Sequence, residues 1–203
     1  VRFYDVTDGE ILIDGVNIKD YKLEYLYKLI GYVPQRAVLF NGTVNSNISY
    51  GEAMEEISDK KIVEAAKVAQ ADEFISKMDY GYESHIAQGG TNVSGGQKQR
   101  IAISRAIAKN PEIYIFDDSF SALDYKTDAV LRSELKKYTK DATSLIVAQR
   151  IGTIMNADKI IVLDNGESVG VGTHKELLKS CEVYKQIALS QLSKEELDNA
   201  KTK

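Results

Sequence analysis

Three short stretches carry residues whose types and spacing could do chemistry. The first, Asn92-Val93-Ser94-Gly95-Gly96-Gln97-Lys98-Gln99-Arg100, sets a hydroxyl and two glycines at the start of a predicted helix. Free backbone N–H groups and the helix dipole favour an anion there, and the glycines let a phosphate approach the backbone. The second, Ile113-Tyr114-Ile115-Phe116-Asp117-Asp118, is an apolar strand that delivers carboxylates at its C-terminal end, where a divalent cation can be organised. The third, Ser121-Ala122-Leu123-Asp124, lies just behind the second. Each signal alone is ordinary. A Gly-Gly before a helix is most often a plain turn, and many α/β proteins have an apolar strand ending in Asp. The ordered combination is far more specific, and it points to phosphate chemistry with a metal.

The elements that must position these residues can be read from the pattern. Asp14-Gly15, between two β-prone runs, predicts a hairpin. Leu29–Val33 reads as a short buried strand stopped by Pro34, and residues 41–50 read as loop, rich in Asn, Ser and Gly. Ser58 is expected to cap a helix to about Gln70, with Ile62, Ala65, Ala66 and Ala69 on one face. Asp72 is expected to cap a short second helix carrying Phe74, Ile75 and Met78. A helix then runs from about Ser94 to Lys109, with Ile103 and Ile107 on one stripe. Thr127–Tyr138 reads as helix, and Ser144–Ala148, Lys159–Leu163 and Glu167–Val171 as strands, the last two joined by Asn165-Gly166. His174–Leu192 reads as mostly helical, and Ser193–Lys203 as a solvated end. Alternating strands and helices imply an α/β layer fold. The consecutive helices between about 58 and 80 break the alternation and suggest a helical subdomain.

Composition narrows the function classes. The 203 residues carry 26 Lys and Arg against 30 Asp and Glu, a net charge of −4 that offers no global basic excess for nucleic acid. No apolar run approaches the roughly 18–20 residues needed to span a bilayer. The first residues do not read as a signal peptide. The single cysteine, Cys181, excludes an internal disulfide framework. His85 and His174 are too far apart in sequence to suggest a zinc site. His85 reads as solvated, and His174 as a packing or capping residue at a helix start. Cys181 reads as a packing residue.

The three stretches together resemble the nucleotide-binding domain of an ATP-binding-cassette (ABC) transporter. Ser94–Gln97 is similar to the end of the LSGGQ signature, with Val93 for Leu, Ile113–Asp117 to Walker B, and Ser121–Asp124 to the D-loop. Tyr32-Val33-Pro34-Gln35 resembles the Q-loop, and Leu145–Arg150 the switch region. Leu39–Val44 and Asn47–Gly51 resemble a stretch typical of exporters, and Gly172–Leu178 the closing motif. The resemblance covers nearly the whole chain. It implies an α/β core of the P-loop NTPase type with a helical subdomain that, with the signature helix, takes in about 36–108. It also implies ATP and Mg2+ as ligands. Gln35 would touch the magnesium or the attacking water and sense a transmembrane domain, and Asp117 would hold magnesium through water. Ser94, Gly95, Gly96 and Gln97 would bind the γ-phosphate of ATP seated on a second nucleotide-binding domain, and Asp124 would lie at the seam. The implied location is the cytoplasmic face of a membrane, with no nucleic-acid partner.

Two kinds of departure from the pattern matter. No Gly-Lys pair occurs in the 203 residues, so a Walker A loop is absent. The stretch Val1–Gly9 resembles the family's segment just C-terminal to that motif, so the sequence reads as the C-terminal part of one such domain, an incomplete core without its P-loop strand. Such a piece is expected to expose apolar surface and to be poorly stable alone. The second departure is chemical. Asp118 stands where a Glu usually acts as the base, one methylene shorter, and Gln149 stands where a His usually sits. Gln88 also replaces a Glu before the signature. The near-consensus signature with an altered base and switch resembles the degenerate half of a heterodimeric exporter. Three other readings stay open: a weakly active homodimer, a soluble cassette ATPase, and a regulatory module that binds nucleotide without turnover.

Overall fold

The computed structural model describes residues 1–51 and 56–192. The expected solvated end at 193–203 lies outside the described residues. The chain divides into two compact units, Val1–Val147 and Ala148–Lys203.

The first unit opens with a hairpin of β1 (Leu12–Ile13) and β2 (Val16–Asn17). Asp14 and Gly15 both adopt positive φ at its turn (50° and 78°), the geometry that favours this dipeptide. Helix α1 (Leu23–Leu29) leads into β3 (Ile30–Val33). Residues 41–50 are not loop throughout. Strand β4 (Gly42–Thr43) runs into α2 (Val44–Ile48), because Thr43 and Ser46 form a reciprocal capping box that offsets poor helix formers. Ser58 caps α3 (Asp59–Val68) through the Lys61 N–H. Asp72 does not cap α4 (Asp72–Ile75) but is its first residue. Its carboxylate accepts a hydrogen bond from the Tyr82 hydroxyl at 2.7 Å. After β5 (His85–Ile86), which pairs antiparallel with β4, comes α5 (Gly95–Ala108). His85 is exposed, yet its Nε2 lies 2.9 Å from Asn41 Oδ1. Strand β6 (Ile113–Asp117), α6 (Tyr125–Tyr138) and β7 (Thr143–Val147) complete the unit.

Strands β3, β6 and β7 form one parallel sheet in the order β3-β6-β7, with Ile30 opposite Ile113 and Val33 opposite Phe116. The period-2 alternation of β6 covers both faces of the sheet. Tyr114 and Phe116 join the large core with Ile103 and Ile107 of α5 and Leu131 of α6. Ile113 and Ile115 face Leu26 and Leu29 of α1. Gly31 is steric rather than conformational. A Cβ there would stand 2.7 Å from Pro111 Cγ and 3.3 Å from the Ala106 carbonyl, so only glycine lets β3 lie against the end of α5. Leu145 and Val147 of β7 are exposed.

The second unit contains α7 (Ile151–Ile154) and a hairpin of β8 (Ile160–Asp164) and β9 (Glu167–Gly172), turned at Asn165-Gly166. The predicted helix over 174–192 is two helices, α8 (His174–Ser180) and α9 (Glu182–Gln191), broken where Cys181 adopts extended backbone. Cys181 is buried against Gly170, as a packing residue should be.

His174 caps nothing and packs instead. It is 5% exposed, its Nδ1 lies 2.7 Å from the Tyr184 hydroxyl, and its Nε2 is buried with no hydrogen-bond partner among the described residues. Burial lowers its pKa from the usual 6.5. The unfolded chain therefore binds more protons than the folded one just below pH 6.5, and the stability that neutral His174 confers is lost as pH falls through that window. Protection of the α8 and α9 amides against hydrogen exchange, taken relative to the intrinsic rate at each pH, is expected to fall as pH drops below about 6.5. A His174→Phe variant should flatten that dependence. An unchanged slope would show that another group sets it.

Candidate functional site

The parallel pairing of β3 with β6 sets the C-terminal ends of the two strands side by side. That register brings Gln35, just past Pro34, to the carboxylates that end β6. Gln35 Nε2 donates to Asp118 Oδ2 at 3.2 Å, and the Tyr32 hydroxyl donates to Asp117 Oδ2 at 3.1 Å. Burial, reinforced by that bond to a carboxylate, raises the Tyr32 pKa and keeps the phenol protonated. Asp118 has φ of 43°, in the left-handed region that a non-glycine residue rarely adopts. Its N–H donates to the Val147 carbonyl at 2.9 Å, and its carbonyl accepts from Ser121 Oγ at 2.9 Å. Two hydrogen bonds thus hold the strained residue in place.

This donor set is made of oxygens: two carboxylates and the amide carbonyl of Gln35. Such donors suit Mg2+, which keeps several waters and needs only one or two carboxylates besides substrate phosphates. Among the described residues, no group of three or more His, Cys, Asp or Glu is placed to hold a metal ion. An all-protein cage of the kind zinc or calcium prefers is therefore not formed there.

A second constellation surrounds the start of α5. Ser94 caps the helix: its Oγ accepts from the Gln97 N–H at 3.3 Å, and the Ser94 N–H donates to Gln97 Oε1 at 2.9 Å. The Gln97 side-chain oxygen is thus engaged within the cap. Gly95 is open, with nothing among the described residues, apart from its own helix backbone and chain neighbours, within 4 Å of where a Cβ would stand. At Gly96 a Cβ would meet the Ala122 carbonyl oxygen at 3.4 Å and Leu123 Cδ2 at 3.9 Å, so residues 122–123 lie against this helix start. Asp124 caps α6 by accepting from the Thr127 N–H at 3.0 Å, and its hydrogen bonds to Thr127 lower its pKa. In the loop before Ser94, Gln88 Oε1 accepts from the Asn41 N–H at 3.3 Å.

Gln35, Asp117 and Asp118 therefore meet, and Ser94–Gln97 meets the segment that ends in Asp124. Gln149 belongs to the second unit, where its carbonyl accepts from Gln191 Nε2 at 2.9 Å. Sequence reasoning missed Tyr32, Gln99, Ser119 and Arg105. Gln99 left a signal: it stands in line with Ile103 and Ile107 on the buried stripe of α5, a polar residue where an apolar one is expected.

The fold and its strand-end carboxylates define an α/β nucleotide-binding domain. The chain belongs to the ABC transporter family, whose profile matches residues 1–121. It is 47% identical over 191 residues to an uncharacterized ABC transporter ATP-binding protein of Mycobacterium tuberculosis, covering 94% of this chain and 32% of that protein. It is 44% identical over 192 residues to an ATP-dependent lipid A-core flippase of Haemophilus influenzae, covering 95% and 32%. Its structure resembles a bacterial Atm1-family ABC exporter with ATP bound, with a TM-score of 0.90 and 38% identity over 95% of this chain and 34% of that one. The chain thus spans about a third of the length of the curated relatives it matches. Among the described residues, no helix is long and apolar enough to cross a membrane.

Proposed function

We propose that this chain is the C-terminal part of the nucleotide-binding domain of an ABC exporter, and that it belongs to the catalytically slow half of a heterodimer. Its relatives include a flippase and an exporter, which supports coupling of ATP binding and hydrolysis to a transmembrane domain at the cytoplasmic face of a membrane. Asp117, through water, and Gln35 would hold Mg2+ on the chain's own ATP. Bound Mg2+ would neutralise charge on the β- and γ-phosphates. Ser94, Gly95, Gly96 and Gln97 would present the start of α5 to the γ-phosphate of ATP seated on the partner domain, with Asp124 at the seam between them.

The observation that carries the slow-half reading is Asp118. It occupies the base position with a side chain one methylene short, held back on Gln35 at 3.2 Å. A base must come within hydrogen-bond reach of the water it activates, directly or through one bridging water. Gln149 at the switch position can donate a hydrogen bond but cannot titrate near neutral pH.

The test is subunit-resolved nucleotide trapping in the complete two-subunit transporter. After turnover with radiolabelled 8-azido-ATP, this chain should retain mostly triphosphate while its partner holds mostly diphosphate. Equal diphosphate on both subunits would overturn the asymmetric reading, and assembly of this chain with itself alone would favour a weakly active homodimer.

A further inference from the structure

Two buried side chains outside the recognised contacts grip the backbone just ahead of Gln35. Ser119, fully buried, donates its Oγ to the Val33 carbonyl at 2.9 Å, with the Asp117 carbonyl a second, longer acceptor at 3.3 Å. Gln99, 2% exposed, donates its Nε2 to the Pro34 carbonyl at 3.2 Å. The acceptors are consecutive carbonyls, and the donors come from different places, the turn after β6 and the signature helix α5. The grip falls where the sheet lets go. β3 ends at Val33, and Pro34 has no N–H to extend the ladder. Beyond that point the path of the chain to Gln35 is set by whatever holds these carbonyls.

We propose that Gln99 and Ser119 are positioning residues, which clamp the Val33 and Pro34 carbonyls so that the Gln35 amide stays on Asp118. This rests on the reading of Gln35 as a contact to Mg2+ or to the attacking water. Neither side chain touches nucleotide in this scheme, and both act through Gln35. Gln99 sits on the same helix whose first turn holds the Ser94–Gln97 cap, so one rigid element links the two constellations.

The test is a double-mutant cycle in the complete transporter. Its readout is the Mg2+ concentration that gives half-maximal photolabelling of this chain by 8-azido-ATP. Gln99→Met keeps length and burial but removes the donor, and Ser119→Ala removes the hydroxyl. Gln35→Ala is expected to raise the Mg2+ requirement. Gln99→Met with Ser119→Ala should raise it about 2–10-fold, the range for loss of such hydrogen bonds. In the Gln35→Ala background the same pair should change nothing further. A full additive shift in that background would overturn the clamp and leave the Gln35 reading intact, as would no shift at all from the pair when Gln35→Ala does shift. No shift from Gln35→Ala itself would overturn both. Should the pair fail to fold, Gln99→Met alone carries the cycle. A purely structural role would lower yield or Tm without moving the Mg2+ requirement in this non-additive way.

Discussion

Replacing Asp118 by Glu together with Gln149 by His should raise ATP turnover of the complete transporter by at least about tenfold. A well-placed general base contributes about 10²–10⁴-fold, and on the slow-half proposal the present side chain would fall one methylene short of that position. The longer side chain of the Asp118→Glu variant would extend the carboxylate past its contact with Gln35 Nε2, now at 3.2 Å. The imidazole of the Gln149→His variant would restore a group able to carry charge near neutral pH. Each single change should yield less than the pair. The longer residue must also adopt the φ of 43° that Asp tolerates better than Glu. Asp118→Glu alone is therefore expected to lower Tm slightly even as it raises activity. Steady-state phosphate release from purified wild-type and doubly substituted transporter decides the matter. No gain would mean that Asp118 and Gln149 do not limit the reaction.

Removing Arg105 should strongly destabilise the first unit. Its guanidinium donates from Nε to the Asn47 carbonyl at 2.7 Å, from Nη1 to the Val38 carbonyl at 3.1 Å, and from Nη2 to Asn47 Oδ1 at 3.1 Å. It lies 5.3 Å from the Phe40 ring and 5.6 Å from the Tyr50 ring, which themselves pack at 4.2 Å. Burial pushes its pKa down to about 10, so it stays charged at neutral pH. Arg105→Ala strips two donors from the buried Asn47 and opens a gap under the aromatic pair, at a cost of about 3 kcal/mol. For a domain of this size that corresponds to a fall in Tm of roughly 6–12 °C. Arg105→Lys keeps the charge but loses the planar fork, and should recover only part of the loss. Thermal unfolding of the three proteins provides the measurement. Full recovery by Lys would assign the effect to charge rather than to the fork.

The chemistry-bearing segments were legible because each is local. A glycine pair at a helix start, an apolar run ending in Asp and a hydroxyl three residues ahead of Gln97 announce themselves within a few positions. The parallel sheet was legible from the apolar run Ile113–Phe116 and its alternation with helices. What escaped was relational. Tyr32 reads as one of several strand aromatics until β3 pairs with β6 and lays its hydroxyl on Asp117. Ser119 reads as a turn residue until the Val33 carbonyl meets it. Helix α2 hid because Asn and Ser argue against a helix interior, while the Thr43–Ser46 box that starts it is a property of two residues together. The break at Cys181 has no Gly or Pro to mark it. It falls where Gly170 leaves room for the Cys181 sulfur, with only 2.9 Å to where a Cβ would stand.

The pairing of β3 with β6 also sets an order of events. Tyr32 and Asp117 are 85 residues apart in the chain, so their contact closes a long loop. Closing a loop of that length costs about 4 kcal/mol of chain entropy in a simple polymer estimate, which no local contact returns. The intervening segment, by contrast, closes over shorter separations, from the three-residue capping box of α2 to the packing of α3 on α5. Such contacts can form early and shorten the effective loop. The two carboxylates and Gln35 then assemble late, when the sheet closes around a body that is already folded. On the ribosome, β3 must wait for β6 to emerge, so β3 and its exposed neighbours in α1 need shielding while the chain is being made.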